Sequence, residues 1–469
     1  MASSRKSNSL NLEERVTAGI RPLLPAGSSI LIGLSGGVDS VVLLHLLHRL
    51  APRFSWQLCA LHVHHGISAN ADAWADFCTA LCASHNISLH IERVDIAPLR
   101  AQGIEAAARR LRHTAFAKQS CDFVALAHHA DDQVETLFLQ LLRGAGVRGA
   151  SAMPVLSQSK WPLLSAQTGI HKVVRPLLHR SRQEILDYAA AHNLEWIEDE
   201  SNADDSYPRN FLRHRLLPLM SEKFPAYRDT VVRSTQHFAE ASELLDDLAR
   251  IDALDAMADD TLTVASLQVL SLPRAKNLLR FFLYQLGAPM PQVVQLDDML
   301  HQLCAAREDA TVCVSFAGGD WQVRRYQGRV YALHTLAEFE RNFVLPWLGE
   351  DELAWPALNS CVTFQQRIGQ GISLAKLQRA PVALRLRHGG ESLRPSSNAT
   401  TRTLKNLLQE RCIPTWRRDR LPLMYCGDEL VCVPDVAVAA GYQAAEGEAG
   451  ILLCLAQPQA FCPVRAAVR

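Results

Sequence analysis

One stretch near the start of the chain limits the possible folds more than any other. Ile30-Leu31-Ile32-Gly33-Leu34 is an apolar run, Ser35-Gly36-Gly37-Val38-Asp39-Ser40 a Gly-bearing turn, and Val41-Val42-Leu43-Leu44-His45-Leu46-Leu47 continues at helical spacing. That succession reads as buried strand, tight loop and helix start. A helix start points free N–H groups and the positive end of its dipole outward, which suits a phosphate. Gly36 and Gly37 let the backbone approach an anion, Val38 opens the helix, and Ser35 and Ser40 offer hydroxyls. The Lys of a Gly-x-x-x-x-Gly-Lys-[Ser/Thr] loop is missing, and Asp39 occupies the space instead. A carboxylate among phosphates calls for a divalent cation between them, so Asp39 is the candidate ligand of Mg²⁺ beside nucleotide phosphates.

Ser-Gly-Gly-x-Asp-Ser after a strand resembles the PP-loop of the ATP pyrophosphatase superfamily. The resemblance implies an enzyme that releases pyrophosphate and passes AMP to an oxygen of its substrate. The pattern downstream supports such a fold. Apolar strands at 57–63, 88–95, 122–127 and 172–177 alternate with helical stretches, predicting an α/β, doubly wound parallel sheet whose ligands gather beyond the carboxyl ends of the strands. His62-Val63-His64-His65-Gly66 closes the strand at 57–63 and His128-His129-Ala130-Asp131-Asp132-Gln133-Val134-Glu135 the one at 122–127, so both should meet the phosphate loop at one edge. His65 is a candidate to stack on, or hydrogen-bond to, the nucleotide. The five histidines also suggest a transition-metal site, although no cysteine joins them at ligand spacing.

Asp132 and Glu135 stand three apart at a helix start, where both carboxylates share one face and can meet one cation, an amine or Mg²⁺. Glu105, Arg109 and Arg112 form a stripe on another helix, and Arg209 to Arg215 supplies a cluster of guanidiniums suited to carboxylate or phosphate. Residues 143–171, rich in Gly, Ala, Ser and Pro, read as a loop, with a mobile cover over the site as its functional reading. Ser181 and Glu184 predict a capped helix that runs to about residue 193.

With 469 residues the chain has room for two to four domains. The reading here is a catalytic domain over 1–222, a mostly helical middle domain over 223–350 and a small α+β domain over 351–469. Six acids from Glu240 to Asp255 read as a solvated helix face. The 48 basic and 48 acidic residues cancel, so a nucleic-acid surface must come from local clustering. Between Arg379 and Arg420 ten basic residues oppose three acidic ones, a surplus of seven, with Trp416 among them. That segment is the candidate surface for a nucleic-acid phosphate backbone, and the resemblance given below makes it the candidate tRNA-binding domain. Twelve scattered cysteines, no apolar leader and no long uncharged apolar stretch predict a reduced, cytoplasmic chain with no membrane contact.

Leu-Ser-Gly-Gly-Val-Asp-Ser, His-Val-His-His-Gly, Ala-His-His-Ala-Asp-Asp-Gln-Val-Glu-Thr, Arg-Gly-Ala-Gly-Val-Arg-Gly, and Asp199-Glu200-Ser201-Asn202 with Arg209-Asn210 together resemble the bacterial tRNA(Ile)-lysidine synthases, long form. The resemblance implies ATP-dependent attachment of free L-lysine to C2 of the wobble cytidine in a CAU-anticodon isoleucine tRNA, leaving AMP and pyrophosphate. It implies lysine recognition by Asp132 and Glu135. Arg209 would serve the lysine carboxylate or the developing phosphate charge, with Arg109 and Arg112 as supports. Related readings are a PP-loop tRNA thiolase, which would need reactive cysteines or an iron–sulfur centre, and a non-catalytic RNA adaptor.

Overall fold

The computed structural model describes residues 4–455, apart from 163–167, 201–203, 308–309, 311, 336–337, 359 and 397–398. They form two compact units, 1–245 and 246–469.

In the first unit, helix α1 (Ser4–Ile20) leads into strand β1 (Ser29–Gly33), and α2 (Val38–Phe54), β2 (Gln57–His64), α3 (Ala71–Ser84), β3 (Ser88–Arg93), α4 (Ile104–Ala117), β4 (Phe123–Ala125) and α5 (Ala130–Leu142) follow. The chain continues through α6 (Val147–Ala150), β5 (Leu156–Pro162), β6 (Thr168–Val174) and α7 (Arg182–Ala191). The strands form one six-stranded sheet in the order β3-β2-β1-β4-β6-β5. The first five run parallel and β5 is antiparallel to β6.

Strand β1 shows why the sheet must be covered on both faces. Ile30, Leu31 and Ile32 have no exposed surface; Ile30 and Ile32 join the core under α1, α2 and α7, while Leu31 joins that of Ala115 and Phe116 from α4. A strand buried on both sides reads as an unbroken apolar run, and each such side chain contributes roughly 1.5–3 kcal/mol. The predicted cap of α7 is present: the Ser181 hydroxyl accepts from the Glu184 amide, and the Ser181 amide donates to the Glu184 carboxylate.

One expectation fails. Residues 143–171 are not a plain loop, since α6 and β5 lie within them. The sequence Leu-Ser-Gln-Ser-Lys-Trp-Pro of β5 lacks a strong apolar signal because it is the edge strand of the sheet, with one side unpaired.

After Tyr207, α8 (Pro208–Phe211) runs through a π-helical turn at Leu212–Leu216 into α9 (Leu217–Lys223), and α10 (Tyr227–Ala253) follows. Val134 of α5, Leu217 and Tyr227 form a small apolar cluster that folds these segments back over α5.

In the second unit, helices Val264–Val269, Leu272–Gln285 and Val293–Ala305 accompany a five-stranded sheet whose longest strands are Trp321–Tyr326 and Arg329–His334. Leu278, Leu279, Phe282, Leu296 and Val323 fill the core between them. Asp252, expected on a solvated face, has a buried side chain paired with Arg274. Further on come a five-stranded and a four-stranded sheet and the short helices Leu404–Glu410 and Thr415–Arg418.

Candidate active site

The phosphate loop leaves the carboxyl end of β1 and enters α2. Gly36 adopts φ +89°, a backbone conformation that favours glycine, and a Cβ there would also lie 2.8 Å from the Ile197 Cδ1 methyl, which would have to shift. The Gly36 carbonyl accepts from the Ile197 amide at 3.0 Å, fixing the loop to the segment after α7. Ser40 is buried and works inside the loop: its hydroxyl donates to the Gly37 carbonyl at 2.9 Å and accepts from the Ser35 amide at 3.2 Å. Ser35 Oγ lies 3.1 Å from Ser40 Oγ. Val38 and Asp39 occupy the first turn of α2, where amides have no intrahelical acceptor. Gly36, Gly37 and this helix start have the geometry to cradle an anion, and Ser40 holds the shape of the loop.

Asp39 Oδ1 is buried without a hydrogen-bond partner, 3.7 Å from Nε2 of His129. That ring is 1% exposed, with Asp131 Oδ2 3.6 Å from Nδ1 and Asp132 Oδ2 3.6 Å from Nε2. Burial alone would lower its pKa, but Asp131, Asp39 and Asp132 outweigh burial and push it up to about 10. His129 is therefore a buried imidazolium among three carboxylates. An orphaned carboxylate oxygen beside a phosphate cradle fits Mg²⁺, which typically takes one or two protein carboxylates together with nucleotide phosphates. Among the described residues no group of three or more His, Cys, Asp or Glu side chains could hold a metal ion. The histidines therefore form no transition-metal centre there. His62 Nδ1 instead bonds the Leu34 carbonyl at 3.0 Å.

Asp132 and Glu135 do share a face of α5, and the cations they meet are arginines. Arg209 Nε donates to Glu135 at 2.5 Å and its Nη2 to Asp132 at 2.7 Å. Arg213 donates to both oxygens of Glu135, at 2.8 and 3.1 Å. Glu135 has no exposed surface, and a buried carboxylate needs this degree of pairing to remain charged. Burial would raise the pKa of Asp132, but His129 and Arg209 outweigh it and hold the carboxyl below its usual range. The Asp132 carboxylate also accepts from the His129 amide at 2.9 Å, tying the acid pair to the imidazolium.

The other sequence candidates reach the same edge with different contacts. Arg109 and Arg112 are exposed on α4. Burial and the charge of Arg112 push His65 down to about 4, which leaves a neutral ring beside the loop. Burial takes His128 down to about 3, with Arg175, Arg209 and Arg109 adding to the effect. Asn210 donates to the Asp204 carbonyl, and His214 and Arg215 pair with Asp205, so these three fix the local backbone. Ser201 and Asn202 lie outside the described residues, as does the side chain of Glu105. The sequence shows Arg213 only as a member of the Arg209–Arg215 cluster, with no separate role, and does not single out Arg228. Arg213 stands four after Arg209, a helical spacing that offered a signal. Arg228, which donates to Asp131 at 2.6 Å, lies beyond a proline turn and offered none.

Sequence comparison now bears on this geometry. A family model described as PP-loop domain matches residues 8–220, and models described as TilS substrate binding domain and TilS substrate C-terminal domain match 262–331 and 382–455. The tRNA(Ile)-lysidine synthase of Nitrosomonas europaea is 40% identical over 453 residues, spanning 97% of each chain. The chain belongs to the tRNA(Ile)-lysidine synthase family. Enzymes of the same name from Aromatoleum aromaticum, 42% identical over 90% of this chain and 96% of that one, and Coxiella burnetii, 35% identical over 91% and 93%, resemble it at similar length. Membership makes the chain a PP-loop enzyme that uses ATP, with the lysidine-synthase accessory segments following the catalytic unit.

Those segments qualify the basic surface read from the sequence. Trp416 is half-buried, edge-on to Tyr331 at 5.3 Å, with Arg324 over its ring at 5.1 Å. It joins the last segment to the strand pair 321–334 and is not an open stacking platform. Arg418 donates to the Tyr326 hydroxyl at 2.5 Å and the Ile413 carbonyl at 2.8 Å, and Arg420 donates to the Ala357 carbonyl at 2.9 Å. Arg387 pairs with Glu391 and Asp419, and Arg402 with Glu410. Arg379, Lys405, Arg411 and Arg417 are exposed.

Proposed function

We propose that the protein is an AMP-forming carbon–nitrogen ligase that joins free L-lysine to C2 of the wobble cytidine of a CAU-anticodon isoleucine tRNA. The observation that carries the reading is the meeting of two clusters at one buried ring. His129 meets the phosphate-loop carboxylate Asp39 and the α5 carboxylate Asp132 at Nε2, and Asp131 at Nδ1. A nucleotide held at Gly36–Ser40 therefore has an acid–arginine cluster within one side chain of its phosphates. The names of relatives at 35–42% identity supply lysine and the tRNA.

Cytidine O2 is a poor leaving group. Its attack on the α-phosphate of ATP expels pyrophosphate into the cradle and leaves O2 as an adenylate ester. The ε-amine of lysine then attacks C2, and AMP departs with the former O2. Mg²⁺ held by Asp39 would neutralise charge on the departing pyrophosphate. The helix amides and the His129 imidazolium add fixed positive charge where negative charge builds. Asp132 and Glu135, ordered by Arg209 and Arg213, orient the amine and accept its proton, since a free ammonium of pKa ~10.4 cannot attack. Arg209 is close enough to the acids to shift toward the phosphate charge, and Arg109 and Arg112 extend the positive rim. His65, kept neutral, can hydrogen-bond the nucleotide.

The exposed arginines and lysine of the last segment suit the tRNA backbone, where phosphate contacts give affinity and position without reading bases. The described cysteines are all free thiols, which fits a reducing, cytoplasmic compartment. Among the described residues no helix is long and apolar enough to cross a membrane.

The test is incubation with labelled lysine, ATP and total tRNA. Label should enter isoleucine tRNA at the wobble cytidine in step with AMP and pyrophosphate. ADP and phosphate as products, or label from no amino acid, would refute the reading.

A further inference from the structure

The peptide that joins β1 to the phosphate loop is held at both of its polar atoms. Strand β1 pairs with β2 as far as Gly33 opposite Leu61, and the Leu34 amide still donates to the Leu61 carbonyl at 3.0 Å. There the chain leaves the sheet, and the Leu34 carbonyl meets a side chain: His62 Nδ1 lies 3.0 Å from it. At the other end of the same peptide the Ser35 amide donates to the Ser40 hydroxyl at 3.2 Å. A peptide group is planar, so fixing its oxygen and its N–H fixes the plane from which residues 35–38 depart.

His62 is suited to that contact. It is 4% exposed, and Ala60, two residues earlier on the same face of β2, lies in the same core as Cys78 of α3. Burial lowers its pKa further than the bond to Leu34 raises it, so the ring is neutral. A carbonyl only accepts, so Nδ1 carries the single proton. Cys78 Sγ lies 3.5 Å from that nitrogen and 3.4 Å from where a Cβ on Gly36 would stand. Burial pushes this thiol up to about 12, which makes Cys78 a neutral filler between the ring and the loop. A buried imidazole at a core-facing position costs stability unless its polar atoms are used. The atom it uses here is the one that aims the loop.

We propose that His62 is a positioning residue for ATP: its Nδ1–H holds the Leu34–Ser35 peptide and so aims the amides of the phosphate loop and of the start of α2 at the two outer phosphates. Ile197 acts on the next part of the loop, where its amide holds the Gly36 carbonyl. With both carbonyls turned away toward the protein, the loop presents N–H groups to the anion. The proposal uses only the ATP dependence of the family and is independent of the lysine and tRNA reading.

The experiment measures ATP and AMP binding to the full-length protein by calorimetry in the wild type, H62Q and H62N, with melting temperature as the folding control. Asn places its amide nitrogen where Nδ1 stands, whereas Gln places it where Nε2 stands. H62Q should weaken ATP about tenfold, the scale of one lost hydrogen bond. AMP should weaken much less, because it lacks the two phosphates that the loop holds. H62N should recover most of the ATP affinity. Equal weakening of ATP and AMP, equal behaviour of the Asn and Gln variants, or unchanged ATP affinity in H62Q overturns the assignment. If H62Q melts too early to assay, H62F, which keeps a ring without the donor, takes its place with the same expectation. If H62Q and H62F both melt early, the bond supports the fold at large and the assignment to the loop falls. Calorimetry needs neither lysine nor tRNA, so a failure of lysine incorporation refutes the proposed function and leaves this result standing.

Discussion

The arginines of α8 and the turn after it and the arginines between 379 and 420 look alike as sequence, yet the structure uses them differently. Arg209 and Arg213 meet two carboxylates in a buried centre: the charges cancel locally, and what remains is geometry. In the last segment Arg387, Arg402, Arg418 and Arg420 are spent on carbonyls, a tyrosine hydroxyl and nearby acids, and the net positive charge that reaches solvent belongs to fewer side chains. A surplus of basic residues therefore overstates a nucleic-acid surface. The arginines whose bonds are internal hold the fold, and only the exposed remainder is available to a phosphate.

Glu135→Gln should produce the largest effect. It leaves Arg209 and Arg213, whose side chains are 28% and 26% exposed, facing a neutral amide at a position with no exposed surface, and breaking a buried ion pair costs up to about 3–5 kcal/mol. Chemical denaturation should show that loss, along with failing lysine use; a variant of native stability would mean that the two arginines relax to solvent.

Asp39→Asn comes next, because the loop is shaped by Gly36 and Ser40 and not by this carboxylate. Its melting temperature should stay near that of the wild type while turnover falls about a hundredfold or more, the scale of losing one preorganised electrostatic group. Near-normal turnover would make Asp39 structural.

The smallest effects divide the C-terminal arginines. Arg418→Ala should lose about 1–2 kcal/mol of stability through its bonds to Tyr326 and Ile413. Arg417→Ala should stay within ±0.5 kcal/mol, as exposed positions do, while flattening the salt dependence of tRNA binding by about 0.7–0.9 for one lost phosphate contact. If Arg418→Ala alters the salt slope and Arg417→Ala does not, the division drawn from exposure is wrong.

Much of the catalytic unit was legible because its signals are local. The apolar run of β1 declares a strand covered on both faces, the Gly36 turn declares an anion cradle, and Ser181 with Glu184 declares a helix start, each within a few residues. The strand rhythm then placed the three motifs at one edge. Edge strand β5 carries no periodic apolar pattern in Leu-Ser-Gln-Ser-Lys-Trp-Pro, and only its pairing with β6 on one edge shows it to be a strand.

What the sequence alone determined was which residues could carry chemistry: Asp39, Asp132, Glu135 and Arg209 were all visible as types in suggestive places. Only tertiary structure decided who pairs with whom. Asp132 and Glu135 could have held any cation, and it took the fold of α8 to α10 over α5 to supply Arg209 and Arg213 and to bring Arg228 onto Asp131. Trp416 could equally have faced solvent or the strand pair 321–334. Charge and burial depend on neighbours distant in sequence, and local spacing carries no information about which distant group arrives.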